Sequence, residues 1–285
     1  MKHVLVITNF NAGRKQVIRY KKDVLDFLIK RCKMFKFAAI DELNNIDIRP
    51  FDTVITMGGD GTINKVLPYI INTEKVLGII PLGTANLLAA KLGITLNIKK
   101  SLKIIEKNNI KAIDILNINE NLCALRFGIG YDADIITKTP QSVKNKFGYF
   151  SYFIAGVLFA LRLKRKTYEI TAEDNTFKEN ASCIIIANAA NMYRNIISVG
   201  QNSAIDDGLA DIFILKPANP IIFFIEFLKI IFNIKKNNKN TVYMKASKIR
   251  IKNTWLFCHI DGEKKKIKGD IKINILPKTL KVYST

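Results

Sequence analysis

The feature that most constrains the fold is the run Met57-Gly58-Gly59-Asp60-Gly61-Thr62, which lies between a β-rich segment and an amphipathic one. Three glycines within four positions let the backbone turn sharply and approach a ligand closely. A helix beginning here would present N–H groups and the positive end of its dipole to a phosphate. Asp60 adds a carboxylate, which needs a divalent cation or another partner if phosphates lie nearby. The run alone also fits a plain glycine turn before a capped helix.

Short β-rich runs alternate with longer amphipathic runs over roughly the first hundred residues, which predicts a parallel sheet with helices on its faces. After about Ala112 the runs are broken by Asn, Gly or charge, and crossover helices no longer separate most of them. This texture predicts a largely antiparallel second domain, with helical insertions near 146–163 and 219–234. The predicted strands of the first part are Val4–Thr8, Asp52–Met57 and Val76–Ile80, and its predicted helices are Gln16–Arg31, Ile63–Ile71 and Asn86–Leu92.

Two further loops are expected beside the glycine run. The segment Leu77–Asn86 has the pattern of a strand, a turn at Gly83 and a helix start, and Asn9–Lys15 follows the first strand. Loops at the carboxyl ends of neighbouring strands in an open α/β sheet converge on one crevice. The three loops together therefore predict a nucleotide cradle.

Charge and cysteine content narrow the classes of protein. The net charge of +21 predicts a polyanionic partner, namely nucleic acid, an anionic membrane surface or small phosphorylated substrates, although interspersed lysines also occur on plain solvated surfaces. Four cysteines without a Cys-x-x-Cys pair exclude a small disulfide framework and favour a reducing cytoplasm. The longest uncharged run, Phe147–Leu161, is shorter than the roughly 20 residues that cross a bilayer. No signal peptide or membrane span is predicted.

The two glycine motifs, Gly58–Thr62 and Pro81–Asn86, resemble the diacylglycerol kinase catalytic-domain family, which includes bacterial lipid kinases and sphingosine kinases. Later segments are similar to family landmarks in the same order: Phe147-Gly148-Tyr149, Ala204–Leu209, Asp261-Gly262-Glu263 and Leu276-Pro277-Lys278. The resemblance implies an N-terminal parallel α/β nucleotide-binding domain, related to that of NAD kinases, and a C-terminal, mostly antiparallel β-sandwich that binds the lipid, with the active site between them. It predicts domains at 1–112, joined by the returning segment 277–285, and at 113–276.

The resemblance also implies an activity, the transfer of the γ-phosphoryl group of ATP to a hydroxyl of diacylglycerol or a related lipid. The residues that it places around the nucleotide are Asn9, Asn11, Gly13, Gly58, Gly59, Asp60, Gly61, Thr62, Asn64, Thr84 and Asn86. It implies Glu263 as the proton acceptor, with Asp261 in the same carboxylate and metal-water network, and Asp60 as a further catalytic residue. By itself Asp-Gly-Glu is more typical of a hairpin turn.

A structural Mg²⁺ is implied at a second acidic turn. By the resemblance, Asp207 would bind the ion through its carboxylate, and Ile205 and Leu209 through their carbonyl oxygens. Hard oxygen ligands on a tight turn suit Mg²⁺. A plain Asp-Gly turn fits the same residues.

The segment 221–236 is extremely apolar, and its polar members Glu226, Lys229 and Asn233 fall on one narrow helical stripe. Such a helix must bury most of its surface, either in protein or in lipid. Lys235, Lys236 and Lys239 follow it, as suits docking on an anionic membrane. The expected partners are thus a lipid substrate and the inner face of the cytoplasmic membrane, bound peripherally. No nucleic acid is expected, and a homodimer is compatible with the sequence.

Two other functions fit parts of the sequence. NAD kinases share Gly-Gly-Asp-Gly-Thr, but their Asn-Glu element is not evident after the loop, and Pro81–Asn86 favours the lipid kinases. A non-enzymatic basic protein that binds nucleic acid or membrane would also carry this charge, although no base-reading motif is present.

Overall fold

The structure, a computed structural model, describes residues 2–10, 14–131, 133, 163–188, 204–231, 234, 237–252 and 255–285. It divides into two units, one made of Met1–Ile113 with Lys278–Thr285 and the other of Asp114–Pro277. The predicted boundaries at 112/113 and 276/277 lie one residue away from these.

The first unit is built on a parallel sheet in the order β2-β1-β3-β4. All six residues of β3 and all six of β4 are buried, because helices cover both faces of a parallel sheet. The predicted parallel α/β fold is confirmed. The strands are β1 (His3–Thr8), β2 (Met34–Ala39), β3 (Thr53–Gly58) and β4 (Val76–Pro81); the helices are α1 (Arg14–Arg31), α2 (Asp60–Ile70), α3 (Leu87–Lys91) and α4 (Ile98–Lys107), with a 3₁₀ helix at Ile40–Asn45.

The second unit is an antiparallel sandwich, as predicted. One sheet has the order β12-β11-β10-β7-β14-β15, and facing it are β13, β8, β9 and the first part of β16. The strands are β5 (Ile110–Ile118), β6 (Asn121–Cys123), β7 (Arg126–Gly130), β8 (Lys166–Ala172), β9 (Asn175–Ala181), β10 (Cys183–Ala187), β11 (Ala210–Leu215), β12 (Thr241–Ala246), β13 (Lys248–Lys252), β14 (Trp255–Ile260), β15 (Glu263–Lys268) and β16 (Ile271–Tyr283).

The core of the sandwich follows from strand alternation. Phe127, Ile184 and Ile212 of the six-stranded sheet face Ile249 and Ile271 of the other layer, and all are buried.

The predicted helix near 219–234 is α5 (Pro220–Ile231). The helix predicted near 146–163, with its Phe147-Gly148-Tyr149 segment, lies outside the described residues. Within the described part, no helix is both long and apolar enough to span a membrane.

The end of the chain completes the first unit. Lys281 and Val282 of β16 pair in parallel with Val76 and Leu77 of β4. Leu280 and Val282 are fully buried, and the Tyr283 hydroxyl lies 3.2 Å from the Thr53 hydroxyl.

We therefore expect Leu280→Ala to lower the free energy of unfolding by about 2–5 kcal/mol, because it leaves a cavity in the first unit. Urea denaturation followed by circular dichroism measures this change. The matched control is Lys281→Ala, which removes only a surface ion pair with Glu74 and should cost about 1 kcal/mol or less. Equal losses in the two variants would show that the returning strand is not part of the core.

Candidate functional site

The glycine run forms a tight turn between β3 and α2. A Cβ atom at Gly58 would lie 2.2 Å from the Thr62 hydroxyl oxygen, so a side chain does not fit there. The Thr62 N–H donates to the Gly59 carbonyl at 2.9 Å, and the Thr62 hydroxyl accepts a bond from Asn9 Nδ2 at 3.1 Å. The loop that begins at Asn9, after β1, is therefore bonded to the glycine turn.

The loop at Gly83, which follows β4, packs directly against the glycine turn. A Cβ atom at Gly83 would lie 2.4 Å from Gly59 Cα, so the two backbones touch where neither residue has a side chain. Asn86 holds the Gly83 turn, because its Oδ1 accepts the Gly83 N–H at 2.9 Å and its Nδ2 donates to the Gly83 carbonyl at 2.6 Å. Asn86 itself has a left-handed backbone, with φ of 48°, and this brings its side chain back over the turn.

The Asp60 carboxylate joins the two loops by hydrogen bonds. Its Oδ2 accepts the Leu87 N–H at 3.0 Å and its Oδ1 accepts the Leu88 N–H at 3.1 Å. These are the first two amides of α3, where a negative charge is favoured by the helix dipole. The N-terminus of α3 thus supplies a partner for the Asp60 charge.

The remaining predicted nucleotide residues surround these loops. Gly61 and Thr84 are exposed, and Asn64 is partly buried on α2. Asn11 and Gly13 lie outside the described residues. The structure therefore brings Asn9, the glycine turn and the Gly83 loop together at the carboxyl ends of β1, β3 and β4.

In the second unit, Asp261 is held by a neighbouring loop. Its carboxylate accepts N–H bonds from Ala124, Leu125 and Arg126 at 2.7, 2.9 and 2.8 Å, and the Cys123 thiol donates to it at 3.2 Å. Burial raises the pKa of the Asp261 carboxyl, against the opposing effect of these donors. Burial and the charge of Asp261 also hold the pKa of the Cys123 thiol well above its ordinary value. The Asp261 carboxylate therefore holds the loop of residues 124–126 by hydrogen bonds.

Glu263 has a different environment from Asp261. Asp261 and Gly262 both have positive φ, 47° and 86°, and form the turn between β14 and β15. Glu263 is the first residue of β15 and is exposed. The resemblance implied one network for both carboxylates; in the structure Asp261 is directed into the protein and Glu263 lies at the surface.

The turn predicted to bind a structural Mg²⁺ is held by protein groups. Lys245 Nζ lies 2.6 Å from Asp207 Oδ2, and the Leu209 N–H donates to Asp207 Oδ1 at 3.1 Å. The Ile205 carbonyl accepts the Asp114 N–H at 2.8 Å. Since an ammonium group and a divalent cation compete for the same carboxylate, a Mg²⁺ ion at this turn would have to displace Lys245 from Asp207.

The helix α5 places Glu226, the acidic member of its polar stripe, toward the protein. Glu226 is 3% exposed and accepts bonds from Lys229, Asn238 and Thr241 at 2.8, 3.1 and 2.8 Å. Three apolar residues of the helix are exposed: Ile221, Ile222 and Ile225 are 71%, 40% and 47% exposed. Asn233, Lys235 and Lys236 lie outside the described residues.

Comparison with known proteins identifies the family. Residues 3–118 match the diacylglycerol kinase catalytic domain, and residues 126–284, more than half of the chain, match the YegS C-terminal NAD kinase β-sandwich-like domain. The chain belongs to the family that the YegS C-terminal domain model describes, and it carries a diacylglycerol kinase catalytic domain before that domain. Its two units thus carry the two domains that the family models describe.

Relatives within this family share part of their length with the chain. "Probable lipid kinase YegS-like" of Citrobacter koseri is 37% identical over 154 residues, which are 52% of this chain and 50% of that protein. "Probable lipid kinase YegS" of Escherichia fergusonii is 35% identical over 179 residues, 60% of this chain and 57% of that protein. The chain spans about half the length of the curated relatives it matches.

Solved structures show the same fold. A diacylglycerol kinase structure from Bacillus anthracis str. Sterne has a TM-score of 0.74 at 20% identity, and another structure from that organism has a TM-score of 0.82 at 22% identity. Each alignment covers 100% of this chain and 97% of the other. At this identity the likeness concerns the fold alone.

Some residues that shape the site were not found from the sequence. Asp114 is fully buried, and its Oδ2 accepts the Gly208 N–H at 2.7 Å, so it holds the 205–209 turn together with Lys245. A lone charge within the apolar strand Ile113–Ile118 was a usable signal for Asp114. Lys245 and Cys123 had no local signal, because their partners are distant in the sequence.

We expect Gly83→Ala to weaken binding of a fluorescent ATP analogue by about tenfold or more, because the added methyl group forces the two loops apart. Fluorescence titration measures the dissociation constant. Lys65→Ala, on the exposed side of α2, is the control and should leave it unchanged. Wild-type affinity in Gly83→Ala would mean that the loop contact is not needed for the nucleotide.

For the 205–209 turn, we expect the same melting temperature in EDTA and in Mg²⁺, within about 2 °C, since Lys245 already pairs with Asp207. Lys245→Met should lower the free energy of unfolding by about 1–3 kcal/mol, and Mg²⁺ should then restore part of the loss. Lys248→Met, an exposed lysine of β13, is the control. A lower melting temperature of the wild-type protein in EDTA would contradict this assignment.

Proposed function

We propose that this protein is an ATP-dependent lipid kinase that transfers the γ-phosphoryl group of ATP to a hydroxyl of diacylglycerol or a related lipid. The observation that carries the proposal is the close packing of two glycine loops, Gly58–Thr62 and Pro81–Asn86, at the carboxyl ends of adjacent parallel strands. The match of residues 3–118 to the diacylglycerol kinase catalytic domain supports phosphoryl transfer as its chemistry. Relatives named as lipid kinases support a lipid as the acceptor.

The residues of the first unit fit a nucleotide phosphate chain. Gly59 and Gly83 leave bare backbone where the two loops meet, and α2 begins beside them. Backbone N–H groups at a helix N-terminus attract phosphate oxygens. Asn9 is fixed beside this turn by Thr62. In this proposal Asp60 is a positioning residue that keeps the two loops in register.

In the proposed reaction the lipid hydroxyl oxygen forms a bond to the γ-phosphorus while the bond from that phosphorus to the bridging oxygen of ADP breaks. The hydroxyl proton passes to the Glu263 carboxylate, and ADP leaves with the electron pair. Glu263 suits this role because it is exposed at the start of β15. Asp261 suits a positioning role, because its oxygens hold the loop beside the hairpin.

Mg²⁺ bound with the nucleotide would neutralise charge on the transferred phosphoryl group. Among the described residues, no cluster of three or more His, Cys, Asp or Glu side chains could hold a metal ion. In this proposed reaction the ion would enter with ATP, and the contribution of this chain is to orient the phosphates through its loops.

We further propose that the protein binds the inner face of the cytoplasmic membrane peripherally, where its lipid substrate lies. The exposed isoleucines of α5, Ile221, Ile222 and Ile225, support this location, because a helix face of this kind enters the boundary between headgroups and acyl chains. Glu226, which is buried, anchors the helix to Thr241 of β12. The net charge of +21 adds attraction to anionic lipids.

The purified full chain should transfer radiolabelled phosphate from ATP to one member of a panel of diacylglycerol, phosphatidylglycerol, sphingoid base and ceramide dispersed in detergent. Glu263→Gln should lower kcat about 100-fold or more with little change in the KM for ATP, since only the proton acceptor is lost. Asp60→Ala should remove most activity, because the glycine loops lose their link.

The control for this assay is Asp261→Asn, and three outcomes would contradict the proposal. Asp261→Asn should act mainly by lowering the melting temperature, which separates positioning from proton transfer. Near-normal turnover in both Glu263→Gln and Asp60→Ala would overturn the assigned roles. Phosphorylation of NAD but of no lipid would replace the lipid kinase with an NAD kinase, and no turnover at all, together with salt-dependent DNA binding, would favour a non-enzymatic basic protein.

A further inference from the structure

The strand β15 has an unusual surface for the edge of a sheet. Its sequence is Glu263-Lys264-Lys265-Lys266-Ile267-Lys268, and all of its residues except Ile267 are exposed. Ile267 is buried in the core of the sandwich, so it fixes the strand while the lysines stay at the surface. Lysines on an edge strand block pairing with other chains, which explains part of the charge.

The neighbouring Phe257 needs a separate explanation. It pairs with Lys266 across the hairpin and is 49% exposed. Lys264 Nζ lies 4.7 Å and Lys266 Nζ 5.7 Å from the centre of its ring, within the range of cation–π contacts. Blocking of a sheet edge does not require an exposed aromatic ring close to two ammonium groups. An exposed ring beside ammonium groups is instead expected where a surface has to be both apolar and cationic.

Strand alternation places this cluster on the outer face of the six-stranded sheet. Cys258 and Ile260, which flank His259, lie in the core between the two layers. Phe257 therefore points away from the core, and so do Lys264 and Lys266, which pair with His259 and Phe257.

The helix α5 lies on the same outer face. Its Phe223 and Ile230 pack with Ile185 and Phe213 of the six-stranded sheet. These two sheet residues alternate with Ile184, Ile186 and Ile212, which belong to the core of the sandwich. The exposed isoleucines of α5 and the cluster of Phe257 and lysines are thus presented on one side of one sheet, near its two edges.

We infer that the lysine hairpin, defined as Phe257 with Lys264, Lys266 and Lys268, is a docking surface for the anionic headgroups of a lipid bilayer. The inference deepens the proposed function, on which it rests. Charge complementarity carries it: cationic side chains meet phosphate groups, and the Phe257 ring enters the interface as the α5 isoleucines do. Docking here brings Glu263, at the start of the same strand, to the membrane surface where an acceptor hydroxyl is presented.

The test uses the full chain and sedimentation with vesicles of phosphatidylcholine, with or without phosphatidylglycerol, in the absence of ATP. The variant Lys264→Gln/Lys266→Gln/Lys268→Gln should partition about tenfold or more weakly to the anionic vesicles at low salt, and equally to the neutral ones. The matched control is Lys99→Gln/Lys100→Gln/Lys103→Gln, which removes the same charge from exposed positions of α4 and should retain wild-type partitioning. Phe257→Ser should weaken binding that persists at high salt.

Equal losses in the two triple variants would overturn the docking surface, since net charge alone would then explain the binding. Unchanged vesicle binding with loss of double-stranded DNA binding would also overturn it, in favour of nucleic acid. Unchanged vesicle binding with aggregation of the hairpin variant would leave edge protection as the role of the lysines and refute the inference. None of these results depends on phosphoryl transfer, which the detergent assay tests separately.

Discussion

The candidate nucleotide site depends on the contact between the backbones of Gly59 and Gly83. Any side chain at Gly83 would collide with Gly59 Cα, so the loops after β3 and β4 can pack in this way only with glycine at that position. Asp60 then links the same loops through the first amides of α3, and Asn86 closes the Gly83 turn. Because the strands below are fully buried, these loops are held on a rigid base.

Several acidic side chains in this chain hold distant backbone segments in place. The protein has 24 acidic against 45 basic residues, and several of the acidic ones accept N–H bonds from loops distant in the sequence. Asp60 holds α3, Asp114 holds Gly208, and Asp261 holds the loop before β7. A carboxylate that accepts two or three amide bonds offsets its own burial and satisfies donors that would otherwise be unpaired. The basic excess then remains at the surface, where it suits an anionic partner.

Much of the fold could be predicted from periodicity. The continuous apolar runs of β1, β3 and β4 and the glycine turns after them indicated a parallel sheet, and the broken runs after Ala112 indicated the sandwich. The edge strands were harder. All residues of β15 except Ile267 are exposed, so that Glu263–Lys268 lacks the apolar pattern on which such predictions depend. The sequence of β2 is apolar apart from Lys36, but it was not predicted as a strand. The resemblance, rather than periodicity, indicated that the end of the chain returns to the first unit.

The sequence by itself determined the class of chemistry. The spacing of the glycines and their place after predicted strands can be read along the chain, and they specify where bare backbone can meet a phosphate. Only the tertiary structure decided what each carboxylate does. Asp261 and Glu263 are two residues apart, yet one is enclosed by the amides of residues 124–126 and the other is exposed. Likewise, Asp207 has the sequence of a cation-binding turn but pairs with Lys245. These differences arise from partners far along the chain, whose proximity depends on the packing of whole sheets.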